Sequence, residues 1–371
     1  MGTGGKEMPG VFDYLVNTVV HVQVEGKSER FTSRVIAVSG LELTVTTPGN
    51  ERRHIWPRPG TALLLFTRRY EPDGTENLED GVRCEVVRQI LKPTPGLVLC
   101  LDGNQPLVRL APLERAVRTI AVTSGKGGTG KSVLAVNLAL ALASLGERVT
   151  LVDCDLGTGN VAGLFGVQPE RNLTDLLEGR ASVDEIALCV PGGVSLVPGG
   201  TGDPSLFNLS PWKFAHLLSA LAAVEERTSF VVVDTSPGIS QSVANLLLAC
   251  DEVIMVTTIE PPSVIDSYAL VKLIAAQERR PRVWLVLNRA AQPEVEGRIV
   301  RQVVRTASEL LGFEVQVLGL VREDDGVHRS VVTGRPLLLD HPIGPAAQDI
   351  RELARRLITS RGGKAWSSGT R

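Results

Sequence analysis

The chain has 371 residues, 43% of them hydrophobic, enough for two or more ordinary globular domains. A formal net charge of −2 and a pI near 6.3 give no global electrostatic case for nucleic acid; only local basic runs remain, such as Arg279-Arg280 and Arg298 to Arg305. The cysteines, Cys84, Cys100, Cys154, Cys189 and Cys250, form no C-x-x-C pair, so zinc and iron–sulfur ligation lack spacing support. An odd cysteine count, no apolar signal core and no apolar run of membrane-spanning length fit a cytoplasmic protein, at most peripheral to a membrane.

Residues 1–10 read as a disordered leader. From residue 11 to 106 the texture is β: Val19 to Val24, Phe31 to Val38, Leu41 to Thr46, Ala62 to Thr67, Val82 to Ile90 and Leu97 to Leu101 are short runs. Turn signals such as Glu25-Gly26 and Pro59-Gly60 separate them. About six such strands predict a small barrel or sandwich. Residues 107–117 form a linker into Arg118, and its arginines (Arg109, Arg115, Arg118) read as solvated.

Beyond the linker, strands and helices alternate. Strands are predicted at 148–153, 194–197, 230–234, 252–257, 283–288 and 315–321. Helices are predicted at 132–145, 174–178, 212–226, 240–249, 262–277, 296–311, 326–333 and 345–361. The fold class is therefore α/β, a doubly wound, mostly parallel sheet spanning 118–361 behind a small all-β domain. Residues 362–371 form a Gly/Ser-rich tail read as disordered.

Three stretches carry chemistry. Gly125-Lys126-Gly127-Gly128-Thr129-Gly130-Lys131-Ser132 spells G-x-x-x-x-G-K-S between the β-branched run Arg118 to Thr123 and an Ala/Leu-rich helix that includes Val133. Strand, Gly-rich loop and helix N-terminus make a cradle for phosphate, with Lys131 reaching the β/γ-phosphates and Ser132 binding Mg²⁺. Asp153-Cys154-Asp155 ends the next strand; one carboxylate can serve the metal shell and the other can orient an attacking water. Phe230 to Val233 leads into Asp234, a second strand-end carboxylate placed to hold Mg²⁺, and Gly238 follows in a loop able to sense the γ-phosphate.

Lys126 makes the loop K-G-G-x-G-K-S. With Asp153-Cys154-Asp155 and Asp234, the region from about Arg118 to Leu357 resembles the MinD/ParA group of ATPases. Val197-Pro198-Gly199-Gly200-Thr201-Gly202, the T-T-x-E-P-x-S run Thr257 to Ser263, Leu287-Asn288-Arg289 and Leu318 to Asp324 resemble its flagellar-number regulators, called FlhG, FleN or YlxH. This resemblance implies ATP and Mg²⁺ as ligands, slow hydrolysis and an ATP-dependent homodimer. Lys126 would reach the partner's nucleotide, Lys131 and Ser132 would bind phosphate and metal, and Asp155 would orient water. Asp153 and Asp234 would serve the metal, and Asn288 would read adenine with Arg289 nearby. Flagellar assembly or regulatory proteins are the implied partners; a DNA- or cargo-positioning partition ATPase is the alternative.

The D-Q-A type N-terminal motif of that group is absent, which leaves stimulation of a partner GTPase without support. The barrel resembles the N-terminal domain of YcgR-type flagellar brake proteins. Arg30 to Arg34 spells R-x-x-x-R, but no D/N-x-S-x-x-G follows, so protein contacts are favoured over cyclic di-GMP. The final helix places Ile350, Leu353, Leu357 and Ile358 on one face beside Arg351, Arg355 and Arg356. Packing on the sheet is favoured for that face over lipid, because aromatic anchors are few.

Overall fold

The structure is a computed structural model. It describes eight strands between residues 19 and 101, residues 117–155, 159–200, 227–277 and 280–360, and single helical positions between 213 and 224. The expected leader, almost all of the expected linker, the tail and the side chains of Arg30 to Arg34 lie outside the described residues. The chain divides into two units: residues 118–174, 186–208 and 230–371 form one, and residues 1–117, 175–185 and 209–229 the other.

In the N-terminal region, β1 (Val19–Val24), β2 (Arg30–Ser39), β3 (Glu42–Thr46), β4 (Ala62–Phe66), β7 (Val82–Ile90) and β8 (Gly96–Leu101) pair antiparallel. Their order is β1-β2-β3-β8-β7-β4, and β4 pairs back onto β1, which closes the ring. Register shifts between Val35 and Ala37 and between Val86 and Arg88 bend the two longest strands, as closure requires. A separate ribbon pairs β5 (Arg69–Tyr70) with β6 (Glu76–Asn77).

The other unit is built round an eight-stranded sheet of order β11-β12-β10-β13-β9-β14-β15-β16. Its strands are β9 (Arg118–Thr123), β10 (Val149–Cys154), β11 (Leu188–Val190), β12 (Val194–Val197), β13 (Phe230–Thr235), β14 (Glu252–Thr257), β15 (Arg282–Ala290) and β16 (Val315–Arg322). All neighbours pair parallel except β11 and β12. β9 lies inside the sheet, with β10 to β13 on one side and β14 to β16 on the other. The strand order therefore reverses at β9, and ligands bind such sheets at the carboxyl ends beside the reversal.

The described helices are α1 (Lys131–Ser144), α2 (Val161–Leu164), α3 (Leu173–Leu177), α4 (Val183–Ile186), α5 (Gln241–Ala249), α6 (Pro261–Ala275), α7 (Pro293–Leu311), α8 (Asp325–Thr333), α9 (Leu337–Asp340) and α10 (Pro345–Thr359). α1 is buried from Leu134 to Leu142 on every face, which explains a composition of Ala and Leu with almost no polar stripe. Its buried Asn137 is satisfied at both ends: Nδ2 donates to Val133 O at 2.8 Å, and Oδ1 accepts from Leu338 N at 2.9 Å.

The six predicted strands of this unit are present, displaced by at most two residues at either end. α2, α4, α9 and the antiparallel edge β11 were not predicted, because three or four residues carry too little periodicity to read. Ile350, Leu353 and Leu357 of α10 are buried in the core, so that apolar face packs on the protein as favoured.

Arg118 corrects the expectation of solvated linker arginines. It is the first residue of β9, and its side chain is buried against Glu252 at 2.5 Å. It also donates to the Leu357 carbonyl and to Ser360 Oγ, and its guanidinium lies 5.2 Å from the Phe230 ring centroid. Glu252 is shared, since its other oxygen accepts from Trp284 Nε1. The pair thus ties the start of β9 to the C-terminal end of α10, where a cation also suits the helix dipole. Arg118→Ala would leave Glu252 buried without its counter-charge, held only by Trp284 Nε1. It is expected to lower stability by about 3–5 kcal/mol in urea denaturation, and Arg118→Met with Glu252→Gln is expected to recover most of that loss.

Candidate functional site

The site grows from the carboxyl edge of β9. After Thr123 the chain runs through Gly125 to Gly130 and enters α1. Gly128 and Gly130 adopt left-handed backbone (φ 79° and 88°), which explains their identity. The N-terminus of α1 has no side-chain cap and no acid in its first turn, so its free N–H groups are open to an anion. Helix and loop together have the geometry that a phosphate cradle requires.

Lys131 is buried, and its Nζ lies 2.7 Å from Asp234 Oδ1 and 3.1 Å from Ser132 Oγ. Asp234 is the penultimate residue of β13, the strand beside β9. Its other oxygen, Oδ2, is buried with no hydrogen-bond partner. An orphaned carboxylate oxygen beside a phosphate cradle and a serine hydroxyl fits the predicted Mg²⁺. Among the described residues there is no cluster of three or more His, Cys, Asp or Glu able to hold a metal by itself. A cation here would share its shell with phosphate, as Mg²⁺ does when nucleotide brings it.

Asp153 is fully buried and lies directly across from Asp234 in the parallel register of β10 and β13. Its carboxylate accepts from the backbone N–H of Asp155 and of Val161, each at 3.1 Å. A Cβ at Gly199 would stand 2.8 Å from Asp153 Cγ, so the V-P-G-G run supplies the glycine that lets the chain pass this carboxylate. Burial, then the neighbouring Asp234, push Asp153 up to about 7. Burial also raises Asp234, with Lys131 opposing. Cys154 between the two aspartates is buried; burial, then Asp153, push its thiol up, which keeps it neutral and away from metal chemistry.

Asp155 lies just past the strand end, and Ser236 Oγ donates to its Oδ1 at 3.0 Å. The loop after β13 is also held to β9, because Gly238 N donates to Ser124 O at 2.9 Å. Ser124 and Ser236 were not singled out from the sequence; nothing marks a serine in a loop until its neighbours are known.

On the other side, Asn288 Nδ2 donates to Thr129 O at 2.7 Å, and a Cβ at Gly130 would collide with that amide. Arg289 follows with φ 56°, the one non-glycine with positive φ among the described residues. Gly130, Val133, Asn288, Arg289, Arg322 and His328 are among the residues lining a cavity of about 320 Å³ beside the phosphate loop. Sequence reasoning missed its far wall. Arg322 there is clamped by Asp349 of α10 through two contacts of 2.8 Å, and Asp324 caps α8 while accepting from Ala346 N. Lys126 stands apart, half exposed, with Nζ 3.3 Å from Glu260 Oε2.

A reversing parallel sheet, a phosphate loop at the reversal and strand-end carboxylates beside it define a P-loop nucleotide-binding protein. The family described as the CobQ/CobB/MinD/ParA nucleotide binding domain matches residues 120–337, and the chain belongs to that family. It is an ATPase of the MinD/ParA class. It is 37% identical over 241 residues to the antiactivator FleN of Pseudomonas aeruginosa, covering 65% of this chain and 86% of that one. It is 31% identical over 242 residues to the flagellum site-determining protein YlxH of Helicobacter pylori, covering 65% and 81%. Among solved structures, MinD of Pyrococcus horikoshii complexed with Mg-ADP superposes with a TM-score of 0.56 at 25% identity, covering 68% of this chain and all of that one.

The raised Asp153 has two consequences. Its folded value exceeds the usual carboxylate value, so the folded chain keeps a proton that the unfolded chain loses between about pH 4 and 7. From this group alone, stability of the nucleotide-free protein falls as pH rises through that window and is level above it. A cation at the site favours the carboxylate, so Asp153 is expected to surrender its proton when Mg²⁺ and ADP are added below pH 7. Calorimetry in two buffers of different ionisation enthalpy is expected to show release approaching about one proton near pH 6 and almost none near pH 8.5.

Proposed function

We propose that the chain is an ATP-binding and slowly hydrolysing dimerisation switch that regulates flagellar number, placement or assembly from the cytoplasm. The observation that carries the reading is the position of Lys126, exposed at the rim of the phosphate loop while Lys131 is buried within it. A lysine that served its own nucleotide would have no reason to stand outside. The similarity to FleN and YlxH supports the flagellar assignment.

In this reading Gly125 to Val133 cradle the phosphates of ATP, and Asn288 and Arg289 hold the base. When nucleotide arrives, Lys131 exchanges the Asp234 carboxylate for phosphate oxygens. Asp234, Ser132 and Asp153 form the polar wall that would hold Mg²⁺, which would supply positive charge to the phosphates. Asp155, steadied by Ser236, orients the attacking water. Lys126 reaches the nucleotide of a second subunit, so ATP joins two chains and hydrolysis frees them. Among the described residues no helix is long and apolar enough to cross a membrane. The working partners are further copies of this chain and flagellar assembly or regulatory proteins.

Asp155→Ala is expected to retain ATP, stop turnover by a factor of about 10² or more, and run as a dimer with ATP in size exclusion with light scattering. Adding Lys126→Ala is expected to return it to a monomer that still binds ADP. An Asp155→Ala chain that stays monomeric with saturating ATP would remove the switch.

A further inference from the structure

The T-T-x-E-P-x-S run has no part in the chemistry above, yet it is built as a rigid corner. Thr257 ends β14, and its Oγ1 lies 3.0 Å from Ser263 Oγ, which also accepts from Thr258 N at 3.1 Å. Ser267 Oγ donates to Ser263 O at 2.8 Å, and both serines are buried. Pro261 starts α6 with the fixed φ that suits a first helical position.

The phosphate loop begins against this corner. A Cβ at Gly125 would stand 2.4 Å from the carbonyl carbon of Asp266 and 2.5 Å from its Cβ. Only glycine permits that approach. The next residue is Lys126, whose carbonyl accepts from Ser124 Oγ at 2.9 Å, so its backbone is held while its side chain extends to Glu260. Ile259 and Pro261, on either side of Glu260, line an apolar cavity of about 290 Å³ between α6 and α7.

We propose that Glu260 is a positioning residue for Lys126. It holds the lysine on its own subunit in the nucleotide-free state and competes with the partner's nucleotide for it. The proposal rests on the reading that Lys126 acts across a dimer. Both side chains are about half exposed, so the restraint is modest and set by screening. Modest size is what an exchangeable contact needs: a buried pair would not let go.

The test is sedimentation of the full chain in the Asp155→Ala background, with and without Glu260→Gln, across ATP concentrations at low salt. Glu260→Gln is expected to tighten the ATP-dependent dimer about two- to fivefold and to leave the affinity for Mg-ADP unchanged. The gap is expected to close at about 0.5 M salt, which a structural defect would not do. In a Lys126→Ala background Glu260→Gln is expected to change nothing. Equal or weaker dimerisation by Glu260→Gln, or a gap that persists in high salt, overturns the proposal while leaving the dimer intact. If the chain with Glu260 present fails to dimerise with ATP, the reading beneath it has failed as well.

Discussion

The buried contact between Lys131 and Asp234 is the constraint on which the rest of the site depends. One ammonium and two cross-strand carboxylates, Asp153 and Asp234, lie out of water at the edge of a parallel sheet. Fully ionised, the trio carries a net negative charge that burial disfavours. Without ligand the protein meets this in two ways. Lys131 sits on Asp234, and Asp153 takes up a proton well above the usual carboxylate range. Both are provisional, because Asp234 keeps one oxygen without a partner. A bound divalent cation with phosphate answers all three at once: positive charge for the carboxylates, an anion for the lysine and a ligand for the orphan oxygen. The buried trio is therefore an electrostatic problem that such a ligand would solve.

This explains how much could be read beforehand. Gly125 to Ser132, Asp153, Asp155 and Asp234 were legible because each sits at a strand end or helix start, where local pattern places it. Their mutual placement follows from the register of β10, β13 and β9, which a parallel sheet imposes. Arg118 was misread for the opposite reason. Its partners, Glu252, Leu357 and Ser360, lie 134 to 242 positions further along the chain, and no local pattern distinguishes a buried arginine from a solvated one. Ser124, Ser236 and the Arg322–Asp349 clamp were invisible on the same ground.

Those distant contacts have a common geometry. The wall of the cavity beside the phosphate loop is tied to the beginning of α10 by Arg322 on Asp349 and by Asp324 on Ala346 N. The end of α10 is tied to the beginning of β9 by Arg118. Between the two ties, α10 buries Ile350, Leu353 and Leu357 against the core. The helix therefore braces the cavity wall against the strand that leads into the phosphate loop. Its apolar face is used in doing so, with Ile358 partly buried against the same core, which accounts for an amphipathic helix with basic residues.

The two lysines of the loop show how environment divides one chemistry into two roles. Lys131 and Lys126 are five residues apart and each pairs with a carboxylate. Lys131 is sealed among strands, where leaving Asp234 without a replacement would strand a buried charge; only phosphate at the same spot can substitute. Lys126 sits on the rim, where water screens its pair with Glu260 and makes release inexpensive. The buried lysine is therefore suited to hold, and the exposed one to move. A loop that needed only to grip nucleotide would require the first alone. In the proposed switch the second gains a purpose when another molecule approaches the rim, and Glu260 of the corner formed by Thr257 to Ser267 is its partner until then.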